Sequence, residues 1–169
     1  MAKILRTDFE QDLQKLQDDL LAMGSMVEKA IAKSLNALKS RDLGASAKII
    51  QEDSLIDDRQ LLIENACVRL IATQQPMASD LRALITTIHI AAELERVGDY
   101  AEGIAKISFL MGNEPPLKPL IDIPRMADKV SHMLRKCLDS FVARDAELAA
   151  QVNAEDDEVD VLYTQVYRE

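Results

Sequence analysis

The sequence predicts an all-α chain built as two tandem three-helix bundles related by internal duplication, the second bundle incomplete in this chain. Three observations carry that expectation. Residues that lose little rotamer freedom in helices are plentiful, while the 169 residues include only five glycines, five prolines and no tryptophan. Apolar residues recur at steps of three, four and seven rather than two. A constant shift that lays Arg41-Asp42 on Arg144-Asp145 also lays Glu52-Asp53 on Glu155-Asp156, Asp57 on Asp160, and Ile49, Ile56 and Ile63 on Val152, Val159 and Val166.

The first helix is announced by Thr7 and Glu10, spaced as a capping box. Phe9, Leu13, Leu16, Leu20, Met23, Val27, Ala30 and Ser34 follow in alternating steps of four and three, which predicts a helix over about 8–40. It breaks at SRDLG, where Asp42 is the next N-cap. Ile49, Ile56, Ile63 and Leu70 mark a second helix over about 43–74, which stops before Pro76 because proline disfavours helix in the preceding residue. Pro76 suits the first turn of a third helix, which runs to about 111 and ends at Gly112 in GNEPPLKP. Asp122 caps a fourth helix over about 123–143, and a fifth starts near Asp145. The first repeat is therefore 1–115. The second is 116–169 and stops before its third helix; if Glu169 is the true terminus, apolar surface along Leu134, Leu138 and Val159 should be exposed and the protein should dimerise, as a homodimer, swap helices or aggregate.

Formal net charge is −9, the wrong sign for a phosphate-backbone binder, so no nucleic-acid partner is expected. Cys67 and Cys137 have no CxxC spacing and no neighbouring histidine, and both are expected as buried reduced thiols. The N-terminus lacks a signal-peptide apolar region, and the longest apolar stretch, LITTIHIAAEL, falls short of the roughly 20 residues that span a bilayer. A cytoplasmic protein, membrane-peripheral at most, is the expectation.

Chemistry is concentrated in HIAAELERVGDYAEG. At about 100° per residue, Leu81, Leu84, Ile88 and Ala92 share one face of the third helix, and Glu95, Asp99 and Glu102 continue that line. On the second helix Asp53, Asp57, Gln60 and Glu64 form a polar row beside the isoleucine stripe, and the second repeat offers Asp156 and Asp160 at the matching places. Clustered carboxylates repel unless something compensates, and a bound cation is one such compensator. A donor set of hard oxygens suits Mg²⁺, Mn²⁺, Ca²⁺ or oxidised iron better than zinc or copper. The plain alternative is a set of solvated acids, some paired with Arg96 or Arg59. A ferritin-like di-iron site is disfavoured because neither His89 nor His132 follows a glutamate by three residues. Carboxylates alone specify no reaction, no phosphate loop or nucleophile motif accompanies them, and the chain is expected not to be an enzyme.

QPMASDLR at 75–82, ELERVGDYAEGIA at 93–105, and the paired EDSLID and EDDEVD at 52–57 and 155–160 resemble the PhoU family of bacterial phosphate-specific transport accessory proteins. The resemblance implies two side-by-side three-helix bundles whose Glu/Asp-x-x-x-Asp motifs hold metal ions, Mg, Mn or Fe, sometimes as clusters. Carried over residue by residue, Glu95 and Asp99 are the first repeat's motif, and Asp53, Asp57, Asp156 and Asp160 are the acids of the preceding helices. The role implied is negative regulation of the phosphate-starvation response, as an adaptor between the phosphate ABC transporter and a sensor histidine kinase. Asp80 and Arg82 in QPMASDLR are the expected partner contact. A metal-dependent phosphoester hydrolase and a purely structural helical scaffold are the rival readings.

Overall fold

The structure, a computed structural model, describes residues 2–168, with side chains from Phe9 onward. Among the described residues there are six helices: α1 (Ala2–Ser40), α2 (Leu43–Glu52), α3 (Ser54–Gln74), α4 (Ser79–Met111), α5 (Asp122–Ala143) and α6 (Ala146–Arg168). No strand occurs among the described residues. Contacts group the chain into two compact units, Met1–Val27 with Gln51–Tyr100, and Glu28–Ile50 with Ala101–Glu169.

Within the first unit, Phe9, Leu16, Leu20, Met23 and Val27 of α1 are buried, as are Ile56, Ile63, Cys67 and Leu70 of α3 and Leu84, Ala91 and Leu94 of α4. Each set follows the three-four spacing that puts residues on one helical stripe. Arg59 of α3 donates to Asp19 of α1 across 3.1 Å. Within the second unit, Ala37, Ile49 and Ala105 form a buried cluster with Ala45 and Ile50 against it. Ser46 and Ser108, both buried, satisfy each other by a hydrogen bond of 3.1 Å. Helix α5 packs on α6, and Leu138, Val152 and Leu162 are buried there.

Two junctions share one construction. Arg41 and Arg144 both adopt left-handed backbone, with φ of 57° and 54°, and so stop the helix before them. Asp42 N–H then donates to Ala37 O at 3.0 Å, and Asp145 N–H to Ser140 O at 2.8 Å. Each aspartate caps the following helix: Asp42 Oδ1 accepts from Ala45 N–H at 2.9 Å, and Asp145 Oδ1 from Glu147 and Leu148 N–H at 3.0 and 2.9 Å.

Several boundaries differ from the sequence expectation. Helix α1 begins at Ala2, ahead of Thr7, because KILRTDF holds no helix breaker; Thr7 is thus helical, and its side chain lies outside the described residues. The second predicted helix is interrupted at Asp53, where Ile56 N–H reaches back three residues to Asp53 O at 2.8 Å and Ser54 Oγ donates to Gln51 O at 3.2 Å. Aspartate and serine offer the backbone such local alternatives. Pro76 does not open α4, since Ala78 takes a φ of 49° and the helix starts at Ser79. Asp122 lies in the first turn of α5 rather than at its cap, its carboxylate held by Arg125 at 3.2 Å. Cys137 is exposed, because it falls just off the buried α5 stripe, whereas Cys67 is buried as expected. Leu138 is buried and Leu134 and Val159 are half-covered, so the apolar side chains most open on α6 are Val161, Tyr163 and Tyr167 instead. No described helix is long and apolar enough to cross a membrane.

Candidate metal centre

Helix α4 keeps its buried stripe through small residues. Leu84, Thr87, Ala91, Leu94 and Gly98 are buried in the first unit, and Ala101, Ala105 and Ser108 in the second. The stripe does not turn acidic, as the sequence expectation had it. Glu95 is half-buried, Asp99 is exposed and Glu102 pairs with Lys106 on its own helix, so these acids flank the stripe one position away. The reason is size: alanine and glycine carry the core here, and they leave little trace in a reading tuned to large apolar side chains.

The acids of α4 nevertheless meet those at the start of α3. Asp53, Asp57 and Asp99 each offer a carboxylate oxygen, and the three oxygens lie within 4.8 Å of one another. Asp53 sits at the interruption between α2 and α3, Asp57 one turn later in α3, and Asp99 reaches in from α4. Two ligands on opposite sides of one ion stand about 4–5 Å apart, twice a metal–oxygen distance of about 2.0–2.6 Å. The cluster therefore fits a single hard cation bound by three oxygens, with the exposed side left to water.

Glu95 is not among the three converging oxygens, but it shares their field. Burial pushes its carboxyl above the ordinary value, and the negative charges of Asp99, Asp57 and Glu64 add to the rise while Arg96 opposes it. Arg96 itself forks onto Glu93 at 3.0 and 2.8 Å, and Arg59 is engaged with Asp19, so both of these ion pairs lie outside the cluster. Gln60 Nε2 donates to Glu64 Oε1 at 2.9 Å, which continues the polar row of α3.

Asp156 and Asp160 lie one turn apart on α6 and are exposed; among the described residues they join no group of three possible ligands. Asp80 and Arg82 stand in the first turn of α4, Asp80 half-buried and Arg82 exposed, where the N–H groups of both bond back to Met77 and Ala78 carbonyls. His89 and His132 are exposed on their helices.

Gly98 adds a feature that the large-residue periodicity of α4 does not mark. A glycine in the middle of a helical pattern is a recognised sign of close backbone approach. A Cβ there would stand 3.0 Å from Ile56 Cδ1 and 3.8 Å from Asp53 Oδ1.

The helical fold is shared with known proteins. The PhoU domain family model matches residues 20–108 and 123–169. The chain is 42% identical over 165 residues to the phosphate-specific transport system accessory protein PhoU homolog of Clostridium acetobutylicum, covering 97% of this chain and 75% of that one. It is 38% identical to the corresponding homolog of Aquifex aeolicus, over 94% of this chain and 72% of the relative. The crystal structure of PhoU from Pseudomonas aeruginosa superposes with a TM-score of 0.87 at 33% identity, over 95% of this chain and 77% of that one. This chain belongs to the PhoU family.

Proposed function

We propose that this protein is a phosphate-transport accessory protein that holds the phosphate-starvation response off when phosphate is plentiful, and that a metal ion bound at Asp53, Asp57 and Asp99 is part of its working structure. The observation that carries the metal reading is the convergence of three carboxylates from two segments on one point. Glu95 stands beside them, where a cation would also lower the cost of its charge. Bound there, Mg²⁺, Mn²⁺ or Fe³⁺ supplies fixed positive charge that offsets the repulsion among these acids and ties α3 to α4.

The names of the relatives support a role beside a phosphate transporter. In this reading the protein is an adaptor between components of the phosphate ABC transporter and a sensor histidine kinase, works at the cytoplasmic side of the membrane, and catalyses no reaction. Asp80 and Arg82, in the first turn of α4, are the proposed partner contact. The chain is read as two repeats, 1–115 and 116–169, and the shared backbone of the Arg41-Asp42 and Arg144-Asp145 junctions supports that duplication. Asp156 and Asp160 are then the second repeat's counterparts of Asp53 and Asp57, and the protein is read as a homodimer.

Deletion in the source bacterium, with a reporter of the phosphate-starvation response, tests the regulatory claim. The reporter should be switched on in high phosphate and silenced again by the intact gene. Unchanged silence after deletion would exclude the role. Turnover of a phosphoester by the purified protein, abolished by Asp99→Ala, would replace it with the hydrolase reading.

A further inference from the structure

We propose that Gly98 is a positioning residue of the carboxylate centre: its missing side chain sets how closely α3 and α4 approach, and that spacing brings Asp99 within reach of Asp53 and Asp57. The purpose of this arrangement rests on the metal-binding reading above, but its content is packing. A Cβ on Gly98 would lie 3.0 Å from Ile56 Cδ1 and 3.2 Å from Ile56 Cγ2, both inside ordinary van der Waals contact. Ile56 has little freedom to yield. Its side chain is 4% exposed, and β-branching restricts its χ1, so Cγ2 cannot swing aside without a rotamer change in a close-packed interior. An added methyl therefore requires Ile56 to give by a few tenths of an ångström, and with its rotamer held that displacement falls on the backbone of α3.

The contact sits among the carboxylates. Ile56 lies between Asp53 and Asp57 in sequence, Gly98 adjoins Asp99, and the same Cβ would come 3.8 Å from Asp53 Oδ1. Any displacement at this point is passed directly to the spacing of the three oxygens. A functional site tolerates errors of only about 0.5 Å in the placement of its groups. Glycine inside a helix is unfavourable in itself, so its presence at this buried point calls for a packing reason. Gly103 on the same helix supplies the contrast: a Cβ there meets nothing within 4 Å.

The test uses the full chain in four forms: wild type, Gly98→Ala, Gly103→Ala, and Gly98→Ala with Ile56→Val, which removes the nearest atom. Each is titrated with Mn²⁺, and crystal structures of wild type and Gly98→Ala measure the separation of α3 and α4. Gly98→Ala should weaken Mn²⁺ binding about 10–100-fold, as loss of a supporting contact does in other metal sites, and should widen the α3–α4 separation. Gly103→Ala should bind within about twofold of wild type, and Ile56→Val should recover most of the loss. Equal Mn²⁺ affinity in wild type and Gly98→Ala would overturn the proposal. If wild type binds no Mn²⁺, the metal reading fails and the helix separation alone decides: widening supports the positioning role, and an unchanged separation overturns it. If Gly98→Ala does not fold, recovery of helical circular dichroism by Ile56→Val supports the proposal, and no recovery overturns it.

Discussion

Asp57 on α3 and Asp99 on α4 hold carboxylate oxygens within 4.8 Å of each other, with Asp53 completing the triangle. Like charges this close oppose the packing of the segments that carry them, and a cation reverses the sign of that effect. Thermal unfolding should therefore respond to metal. At a Mn²⁺ concentration of 100 times its dissociation constant, wild type gains about 2.7 kcal/mol by mass action. Asp99→Asn should lose most of that gain, while in chelator its midpoint should equal or exceed that of wild type.

Glu95 gives a prediction in pH. Burial, then Asp99 and Asp57, raise its carboxyl above the ordinary value of 4.5. The folded chain thus holds this proton more tightly than the unfolded one. Its contribution to stability is complete below 4.5 and is lost as pH rises through the raised value. Urea unfolding of the metal-free protein across that window should show wild type losing stability relative to Glu95→Gln. Parallel curves for the two would place Glu95 in ordinary solvent.

The two thiols should separate by accessibility. Cys67 is fully buried, and burial with the charge of Glu64 pushes its thiol up to about 11, whereas Cys137 is exposed. Maleimide labelling of the native protein near neutral pH should modify Cys137 alone, with Cys67 reacting only in denaturant. Mass spectrometry of the labelled peptides reads the outcome.

The two caps should contribute comparably to stability. Asp145 satisfies two N–H groups of α6, and Asp42 satisfies one of α2. Replacing either by alanine should cost about 1 kcal/mol, read as a lowered urea midpoint with an unchanged slope. An effect of Asp145→Ala below that of an exposed control substitution would contradict the capping role.

Much of the fold was legible because large apolar residues report the helical period directly. Ile49, Ile56, Ile63 and Leu70 are spaced by sevens and all are buried. Asp42 and Asp145 announced their helices because a cap has its own chemical signature. The α4 stripe was harder to read, because Ala91, Gly98, Ala101 and Ala105 bury little side chain and Leu81, Ile88 and Ala92 beside them look more like a core. The interruption at Asp53 left no signal in spacing, since the isoleucine period runs straight across it. As for the site, the spacing of Asp53 with Asp57 and of Glu95 with Asp99 pointed to two acidic faces. Which acid completes the cluster depends on the approach of α3 to α4, which is set by the contact of Gly98 with Ile56 and not by either helix alone.

Equilibrium dialysis of chelator-stripped protein against Mn²⁺, followed by elemental analysis, decides whether the three carboxylates hold a metal. Wild type should retain bound metal, and the combined Asp53→Asn, Asp57→Asn and Asp99→Asn variant, still helical by circular dichroism, should retain none. Wild type that holds no Mn²⁺, and no Mg²⁺ or Fe³⁺ in parallel dialyses, would contradict metal binding there.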